Sequence, residues 1–365
     1  MNHDTITTKQ VTLKVSEGFL ATANNSDQIT AKEFGEQFAK GVVNKLFPKS
    51  VEYGDIQSHF NTERLNSFNF TGFKELVIGT HYLRKKLTSE LHHFSNELRA
   101  KSQSLDNRKS SLLSFLYKKK IATETGLVEQ LSNQVNSLKE SQLGSSVDLK
   151  YQYENSLLTD AYSDLTSAFT TMKSAIKIWD VTTAQMNLDT KAAAGTSIDR
   201  HEVKFDFKRL DILSTNEKVL HVENFNGGDF YFYPMFIIYF KGREEIAIID
   251  YTDLYIEYKE QQFLERKEDI VSDVTTIGET WYRVNKDGSP DKRFVGNYKI
   301  PIALYGSIHF KSPSGINELY YISDHKKAKH FYEQYLNYQA HVRNSSYEMI
   351  SHSNTLLDGG HTGNG

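Results

Sequence analysis

The 365-residue chain contains no cysteine and only five prolines. Without thiols, the chain cannot form disulfides, thiolate nucleophiles, cysteine-ligated zinc sites or cysteine-ligated iron–sulfur clusters. The net charge of −3 is too small to predict a polyanionic or polycationic partner for the chain as a whole. Any charged partner must therefore be recognised by a local cluster of charge.

Long hydrophobic runs are also missing. The longest apolar stretch, Phe230 to Phe240, is interrupted by Pro234 and is shorter than the roughly 20 residues that a membrane-spanning helix needs. The polar start of the sequence lacks the basic and then apolar order of a secretory signal. The sequence therefore predicts a protein without a transmembrane segment, and we expect a cytoplasmic location.

Residues 1–72 predict one strand, one short helix and an irregular connection. Val11, Leu13 and Val15 alternate with polar residues, which is the period of a half-buried strand. Thr30 is a candidate N-cap for an amphipathic helix. The remainder of this segment is rich in the proline, glycine, asparagine and serine that are typical of connections.

Residues 73–185 predict a helical bundle with coiled-coil character. Leucines recur every seven residues at Leu91, Leu98, Leu105 and Leu112. Lys101 and Arg108 interrupt this seam, so the heptad pattern is imperfect. A second run follows Gly126, and a third alternates steps of three and four residues at Leu158, Ala161, Leu165, Ala168, Met172, Ala175 and Trp179. Short links between three helices favour an antiparallel bundle or hairpin, with an intermolecular coiled coil as the alternative.

The C-terminal half has the signals of β structure. We predict a linker at residues 186–200, a β domain at 201–340 and a disordered tail at 341–365. The turn Lys241-Gly242 lies between two hydrophobic strands and predicts a hairpin. A closing helix is predicted to begin near Asp324. The predicted fold class is therefore α+β, with a long-helix hairpin or bundle followed by an antiparallel β domain and a closing helix.

The segment from about 203 to 338 carries a turn at Lys241-Gly242 followed by EIAIIDYTDLYIEY. With this order of strand, turn and strand, the segment resembles the PH-like and GRAM-like β modules of many bacterial proteins. Such modules mostly bind peptides, lipids or partner domains, so the resemblance implies an interaction role and no reaction. It also implies a bacterial protein in a multi-protein system, such as a stress or phage-defence system. The acidic stretch from Glu257 to Asp273 departs from the pattern.

Asp250, Glu257 and Lys259 are the candidate catalytic residues of an alternative hypothesis, in which the protein is an enzyme. Metal-dependent nucleases of the PD-(D/E)xK type hold a divalent cation between two carboxylates beside a lysine. In a continuous strand, however, Asp250 is an odd number of residues from Glu257 and faces the other way. Alternating charge on an exposed strand explains the same residues. No other motif predicts a catalytic site, and we expect neither a metal nor a cofactor.

The first long helical segment is strongly basic. Between Lys74 and Lys120 there are eleven Lys or Arg against four Asp or Glu, a net charge of +7. The candidate binding residues are Arg84, Lys85, Lys86, Arg108, Lys109, Lys118, Lys119 and Lys120. Such a segment can attract nucleic acid or an anionic membrane. A solvated helix face, or docking on an acidic protein surface, is the simpler explanation.

Taken together, these patterns predict a non-enzymatic interaction or scaffold protein that self-associates or binds a protein partner. The alternatives are a metal-dependent nuclease and a module that binds nucleic acid or an anionic membrane through the basic helix. The sequence leaves the partner and the oligomeric state open.

Overall fold

A computed structural model of the chain describes residues 7–14, 54–58, 70–153, 156–186, 196–242, 245–285, 289–344 and 347–355. It contains helices and strands, a curled antiparallel sheet and a C-terminal helix, which confirms a mixed α and β class. The helix predicted after Thr30 and the chain beyond residue 355 lie outside the described residues.

The described helices are α1 (Thr71–Lys109), α2 (Lys118–Gly144), α3 (Ser156–Met172) and α4 (His325–Asn344), with a 3-10 turn at Ser114–Tyr117. The first strands are β1 (Thr7–Lys14), β2 (Gly54–Asp55), β3 (Val147–Tyr153), β4 (Ile178–Met186), β5 (Thr196–Glu202), β6 (Phe205–Phe207), β7 (Leu213–Ser214) and β8 (Leu220–Val222). They are followed by β9 (Asp229–Phe232), β10 (Ile237–Phe240), β11 (Ile246–Ile249), β12 (Tyr255–Leu264), β13 (Thr275–Trp281), β14 (Lys299–Lys311), β15 (Asn317–Ile322) and β16 (Tyr347–Thr355).

Helix α1 is anchored to the β half of the protein through its first turns. The rings of Phe70 and Phe73 lie 5.8 and 5.0 Å from that of Phe236, measured between centroids. Phe73 and Val77 are fully buried in the main hydrophobic core. Throughout the part of the chain that the structure describes, no helix is long and apolar enough to cross a membrane.

Beyond this anchor, α1 lies against α2. The Arg84 guanidinium donates to the backbone carbonyls of Gln142 and Ser145 at the end of α2. The Gln142 side chain donates to the Thr88 hydroxyl, with an N–O distance of 2.7 Å. Four apolar side chains on these helices are buried outside the main core, namely Leu87, Leu105, Leu131 and Val135. These contacts hold the beginning of one helix beside the end of the other.

The third predicted helix has the expected buried stripe but a different position. Leu165 and Met172 are fully buried, as the spacing predicted. The Phe169 ring, however, packs 5.8 Å from Phe331 of α4 and 6.0 Å from Phe205 of β6. Strand β3, whose alternating residues the sequence analysis did not identify, separates α2 from α3. Placing this helix in a bundle over residues 73–185 is therefore wrong.

The predicted helix also ends too late, because α3 stops at Met172 and Trp179 lies in β4. Residues 196–200, predicted as linker, belong to β5, which pairs antiparallel with β4. The Arg200 guanidinium stacks 4.1 Å from the Trp179 ring and pairs with Glu265. β-branched and aromatic residues such as Ile178 and Trp179 fit a pleated sheet surface better than a helix.

The strands form three sheets within the described ranges. A four-stranded sheet has the order β1-β16-β3-β7, and a five-stranded sheet has the order β11-β10-β9-β8-β6. A seven-stranded sheet follows the path β12-β14-β15-β4-β2, with β13 on β14 and β5 on β4. The predicted hairpin at Lys241-Gly242 joins β10 to β11, and Gly242 has a φ of 99°. The tail predicted to be disordered contains β16 at residues 347–355, which corrects that prediction.

Helix α4 closes the main core, as predicted. Asp324 is its N-cap, because its Oδ1 accepts hydrogen bonds from the backbone N–H groups of Lys326 (3.0 Å) and Lys327 (3.2 Å). Its buried face carries Ala328, Phe331, Tyr335 and Tyr338. A Cβ atom at Gly306 of β14 would lie 2.5 Å from the Ala328 Cβ, so only glycine permits this close packing.

Candidate functional site

The three candidate catalytic residues lie on β12 and in the turn before it. Asp250 caps a 3-10 turn, where its Oδ1 accepts hydrogen bonds from the Thr252 backbone N–H (2.8 Å) and hydroxyl (2.7 Å). Glu257 and Lys259 both lie on β12, and the Glu257 Oε2 is 3.7 Å from the Lys259 Nζ. The structure therefore brings Glu257 and Lys259 together and gives Asp250 a separate set of contacts.

Glu257 is surrounded by cationic side chains. The Lys311 Nζ of β14 approaches the Glu257 Oε2 to 3.8 Å, and the Lys311 side chain is only 11% exposed. His309 faces Glu257 across the strand pair. Desolvation, together with the nearby Lys311 charge, lowers the pKa of His309 to about 3, so its imidazole is neutral at pH 7. The Glu257 carboxylate therefore offsets the positive charges of Lys259 and Lys311.

Asp250 is nearly buried, and burial raises the pKa of its carboxyl, while the hydrogen bonds from Thr252 oppose that change. Nowhere in the described ranges do three or more His, Asp or Glu side chains come together in a way that could hold a metal ion. The contacts of Asp250 and Glu257 favour structural roles, a turn cap and a cross-strand ion pair.

The eight candidate binding residues fall into two groups along α1 and α2. Arg84, Lys85 and Lys86 lie near the β half, whereas the remaining five cluster around the connection between α1 and α2. About 35 Å of helix separates Lys85 from Lys109 at 1.5 Å per residue. The net charge of +7 is therefore not one continuous surface.

Both arginines of the set make contacts within the helix pair. Arg84 donates to the carbonyls at the end of α2, where a cation also opposes the negative end of the helix dipole. Arg108 pairs with Glu124 across the two helices. The lysines differ from them, because Lys109, Lys118, Lys119 and Lys120 are all exposed at the connection. We call these four lysines the collar.

The connection between α1 and α2 exposes large apolar side chains. We call this set the tip, and its members with their exposed fractions are Leu112 (96%), Leu113 (52%), Phe115 (61%), Leu116 (65%) and Tyr117 (43%). Single exposed apolar residues are ordinary, but five within six positions form a patch, and such patches are typical of interaction surfaces. The heptad pattern placed Leu112 in a buried seam, and this prediction is wrong.

Helix α1 ends before Leu112 because of two serines. The Ser110 hydroxyl donates to the backbone carbonyls of Asp106 (2.9 Å) and Asn107 (3.1 Å), and Leu113 N–H bonds to the Ser111 hydroxyl. Such local side-chain hydrogen bonds compete with the helical ladder and favour termination. The signal for the tip was present in the sequence as SSLLSFLYKKK, an apolar run between two serines and three lysines.

A second feature that sequence reasoning missed is a pair of buried carboxyl groups in the seven-stranded sheet. Asp180 of β4 and Glu318 of β15 are both 0% exposed. Glu318 Oε1 accepts hydrogen bonds from the Tyr239 hydroxyl (2.7 Å) and the Ser58 backbone N–H (3.2 Å). Asp180 Oδ2 accepts one from the Phe225 backbone N–H (2.8 Å).

These two carboxyls hold protons more strongly than free ones. Burial, opposed by hydrogen bonds from Ser58 and Tyr239 and aided by the Asp180 charge, raises the pKa of Glu318 to about 7. Burial also raises the pKa of Asp180 to about 6. The loop above them is closely packed, since a Cβ at Gly227 would lie 2.7 Å from Glu318 Oε1. Because the pair is closed to solvent, it suits a pH-dependent structural role. No motif signals it, because the two residues are far apart in the sequence.

Comparisons with protein-family models, with curated proteins and with solved structures find no significant match for this chain.

Proposed function

We propose that this protein is a non-enzymatic interaction protein that binds its partner through the end of a helical arm. The arm is the hairpin formed by α2 and the part of α1 from Leu87 onward, and its far end carries the tip and the collar. The β half, whose resemblance to PH-like modules remains a prediction, serves as the body that holds the arm and offers a second recognition surface.

The observation that carries this proposal is the exposure of the tip. On the same helix pair, Leu105 is 4% exposed and Val135 is 4% exposed, so the arm buries apolar side chains where it can. Leu112 is 96% exposed only a few residues further on. A free protein gains nothing by presenting five large apolar side chains to water, because their burial is favourable by about 0.8 kcal/mol per CH₂ group.

The contacts of the arm are those of a helical hairpin whose tip lies away from the body. Its two helices contact each other near both ends, through Gln142 and Thr88 at one end and through Arg108 and Glu124 at the other. The ring contacts of α1 with the body involve Phe70, Phe73 and His81, all in its first turns or just before them.

A footprinting experiment in cells tests the proposal without assuming the partner's identity. Because the chain lacks cysteine, Leu112→Cys creates a single reactive thiol at the tip. We expect a membrane-permeant maleimide to label this thiol rapidly in the purified protein and roughly tenfold more slowly in cells that express it, because a bound partner shields the site.

Glu268→Cys, at an exposed position of the body, is the matched control and should be labelled at similar rates in both settings. Equal labelling of Leu112→Cys in cells and in the purified state would show that the tip has no partner, and the proposal would be abandoned.

A further inference from the structure

We propose that the partner of the tip is an anionic lipid bilayer, with the tip inserted at the membrane interface and the collar among the headgroups. This inference rests on the proposed function and adds the chemical class of the surface that the arm meets. It makes the protein a peripheral membrane-binding protein.

The apolar part of the site is shaped for shallow insertion. Leu112, Phe115 and Leu116 are between 61% and 96% exposed, and all lie in or just before the 3-10 turn that joins the helices. Their exposure leaves these three side chains accessible to an apolar phase. Leucine and phenylalanine on one side of a short amphipathic element are typical of segments that lie in the headgroup and acyl-chain boundary.

The collar supplies the electrostatic part. Lys109 ends α1, and Lys118, Lys119 and Lys120 begin α2, so the four lysines flank the tip along the chain. Long lysine side chains extend their charge toward the headgroups while their carbon chains cover apolar surface. Tyr117 is the member of the tip that directly precedes Lys118, and an amphipathic ring is favoured at the membrane interface.

Charge complementarity distinguishes a bilayer from the other possible occupants. Two copies meeting tip to tip would bring two collars together, and like charges would repel each other. Nucleic acid would satisfy the lysines but would leave Leu112 and Leu116 without an apolar environment, since phosphate contacts provide most of non-specific binding. Anionic lipid matches both the lysines and the leucines.

Vesicle sedimentation of the full-length protein tests the inference. We expect binding to phosphatidylcholine vesicles that contain phosphatidylserine as about a third of the lipid, and no binding to phosphatidylcholine alone. Binding should weaken as the salt concentration rises, because screening acts on the collar.

Two double variants, each with a matched control, separate the contribution of the tip to vesicle binding from that of the collar. Leu112→Ser with Phe115→Ser should reduce binding by roughly tenfold or more, whereas Phe294→Ser with Val295→Ser, an exposed apolar pair on the body, should leave it unchanged. Lys118→Gln with Lys119→Gln should reduce binding by roughly 25-fold, because each lysine near an anionic surface contributes about fivefold. Lys85→Gln with Lys86→Gln removes the same charge far from the tip and should have little effect.

A depth measurement provides an independent readout. A polarity-sensitive fluorophore on Leu112→Cys should shift to the blue when vesicles are added and should be quenched by quenchers attached to the acyl chains. The same fluorophore on Lys101→Cys, about 12 Å back from the end of α1, should not respond. All of these positions are at least partly exposed, so the variants should fold as the natural protein does.

Several results would overturn the lipid assignment. These are the absence of binding to anionic vesicles, binding that survives both tip and collar variants, and binding to a DNA duplex that depends on the collar but not on the tip. A concentration-dependent rise in mass that the tip variant abolishes would identify a second copy instead. If the protein does not bind anionic vesicles but Leu112→Cys is still shielded in cells, only the lipid inference is wrong. If shielding is also absent, the proposed function fails with it.

Discussion

The Tyr239 hydroxyl donates a hydrogen bond to Glu318 inside the protein, with an O–O distance of 2.7 Å, and both side chains are fully buried. The same hydroxyl accepts a hydrogen bond from the Gly228 backbone N–H at 2.8 Å. The loop at Gly227-Gly228, strand β10 and strand β15 are thereby connected through the Tyr239 hydroxyl and the Glu318 carboxyl group. We therefore expect the protonation of Glu318 to influence the stability of all three.

We expect the free energy of unfolding to decrease as pH rises from about 4 to about 8. Burial raises the pKa of Glu318 from 4.5 to about 7 and that of Asp180 from 3.8 to about 6. A raised pKa in the folded state means that the folded protein binds the proton more tightly than the unfolded chain. The stabilisation is therefore complete below the unfolded pKa and is lost as pH rises through the folded pKa, with a magnitude on the order of 2 to 3 kcal/mol per group.

Chemical denaturation at a series of pH values measures this slope. Glu318→Gln cannot ionise, so this variant should lose the part of the pH dependence that comes from Glu318. Glu268→Gln, which changes an exposed acid, is the control and should retain the slope of the natural protein. Identical slopes for Glu318→Gln and the natural protein would show that Glu318 does not titrate in this range.

Helix α3 offers a matched test of the main core. Leu165→Asp places a charge at a position that is 0% exposed, and we expect it to destabilise the protein by about 3 to 5 kcal/mol because the charge has no partner. Leu157→Asp, at a 58% exposed position of the same helix, should cost less than about 1 kcal/mol. Thermal melting of both variants makes the comparison, and equal melting temperatures would contradict the position of α3.

Cleavage between β4 and β5 tests whether the two halves are separate units. A protease site engineered within residues 187–195 would divide the chain between these paired strands. We expect the two fragments to stay associated on size-exclusion chromatography, because Phe169 on one packs against Phe205 and Phe331 on the other. Fragments that separate, with the C-terminal one folded, would restore the independent β domain that the sequence predicted.

The nuclease hypothesis can also be tested directly. Purified protein with magnesium or manganese should leave plasmid DNA, single-stranded DNA and RNA intact, because the Glu257 carboxylate pairs with Lys259 and Lys311, and Asp250 makes its own hydrogen bonds to Thr252. Any cleavage that persists in Glu257→Gln and Lys259→Ala variants would come from a contaminant. Cleavage that both variants abolish would refute the non-enzymatic proposal.

Local features of the sequence predicted several elements correctly. Alternating residues identified β1, the Lys241-Gly242 turn identified the β10–β11 hairpin, and Asp324 identified the start of α4. Each of these depends on hydrogen bonds or side-chain periodicity within a few residues. The basic charge of the α1 segment is likewise visible in composition alone.

By itself, then, the sequence determined the α and β composition, the buried stripe of α3 and the presence of clustered lysines. Only the tertiary structure decided that α3 packs against α4, that Trp179 lies in a sheet, and that Leu112 is exposed. It also decided that Asp180 and Glu318 share one buried environment although 138 residues separate them in the chain. The physical reason is that an apolar stripe predicts only that one face of an element is buried. Which other element packs against that face depends on contacts between residues that are distant in sequence.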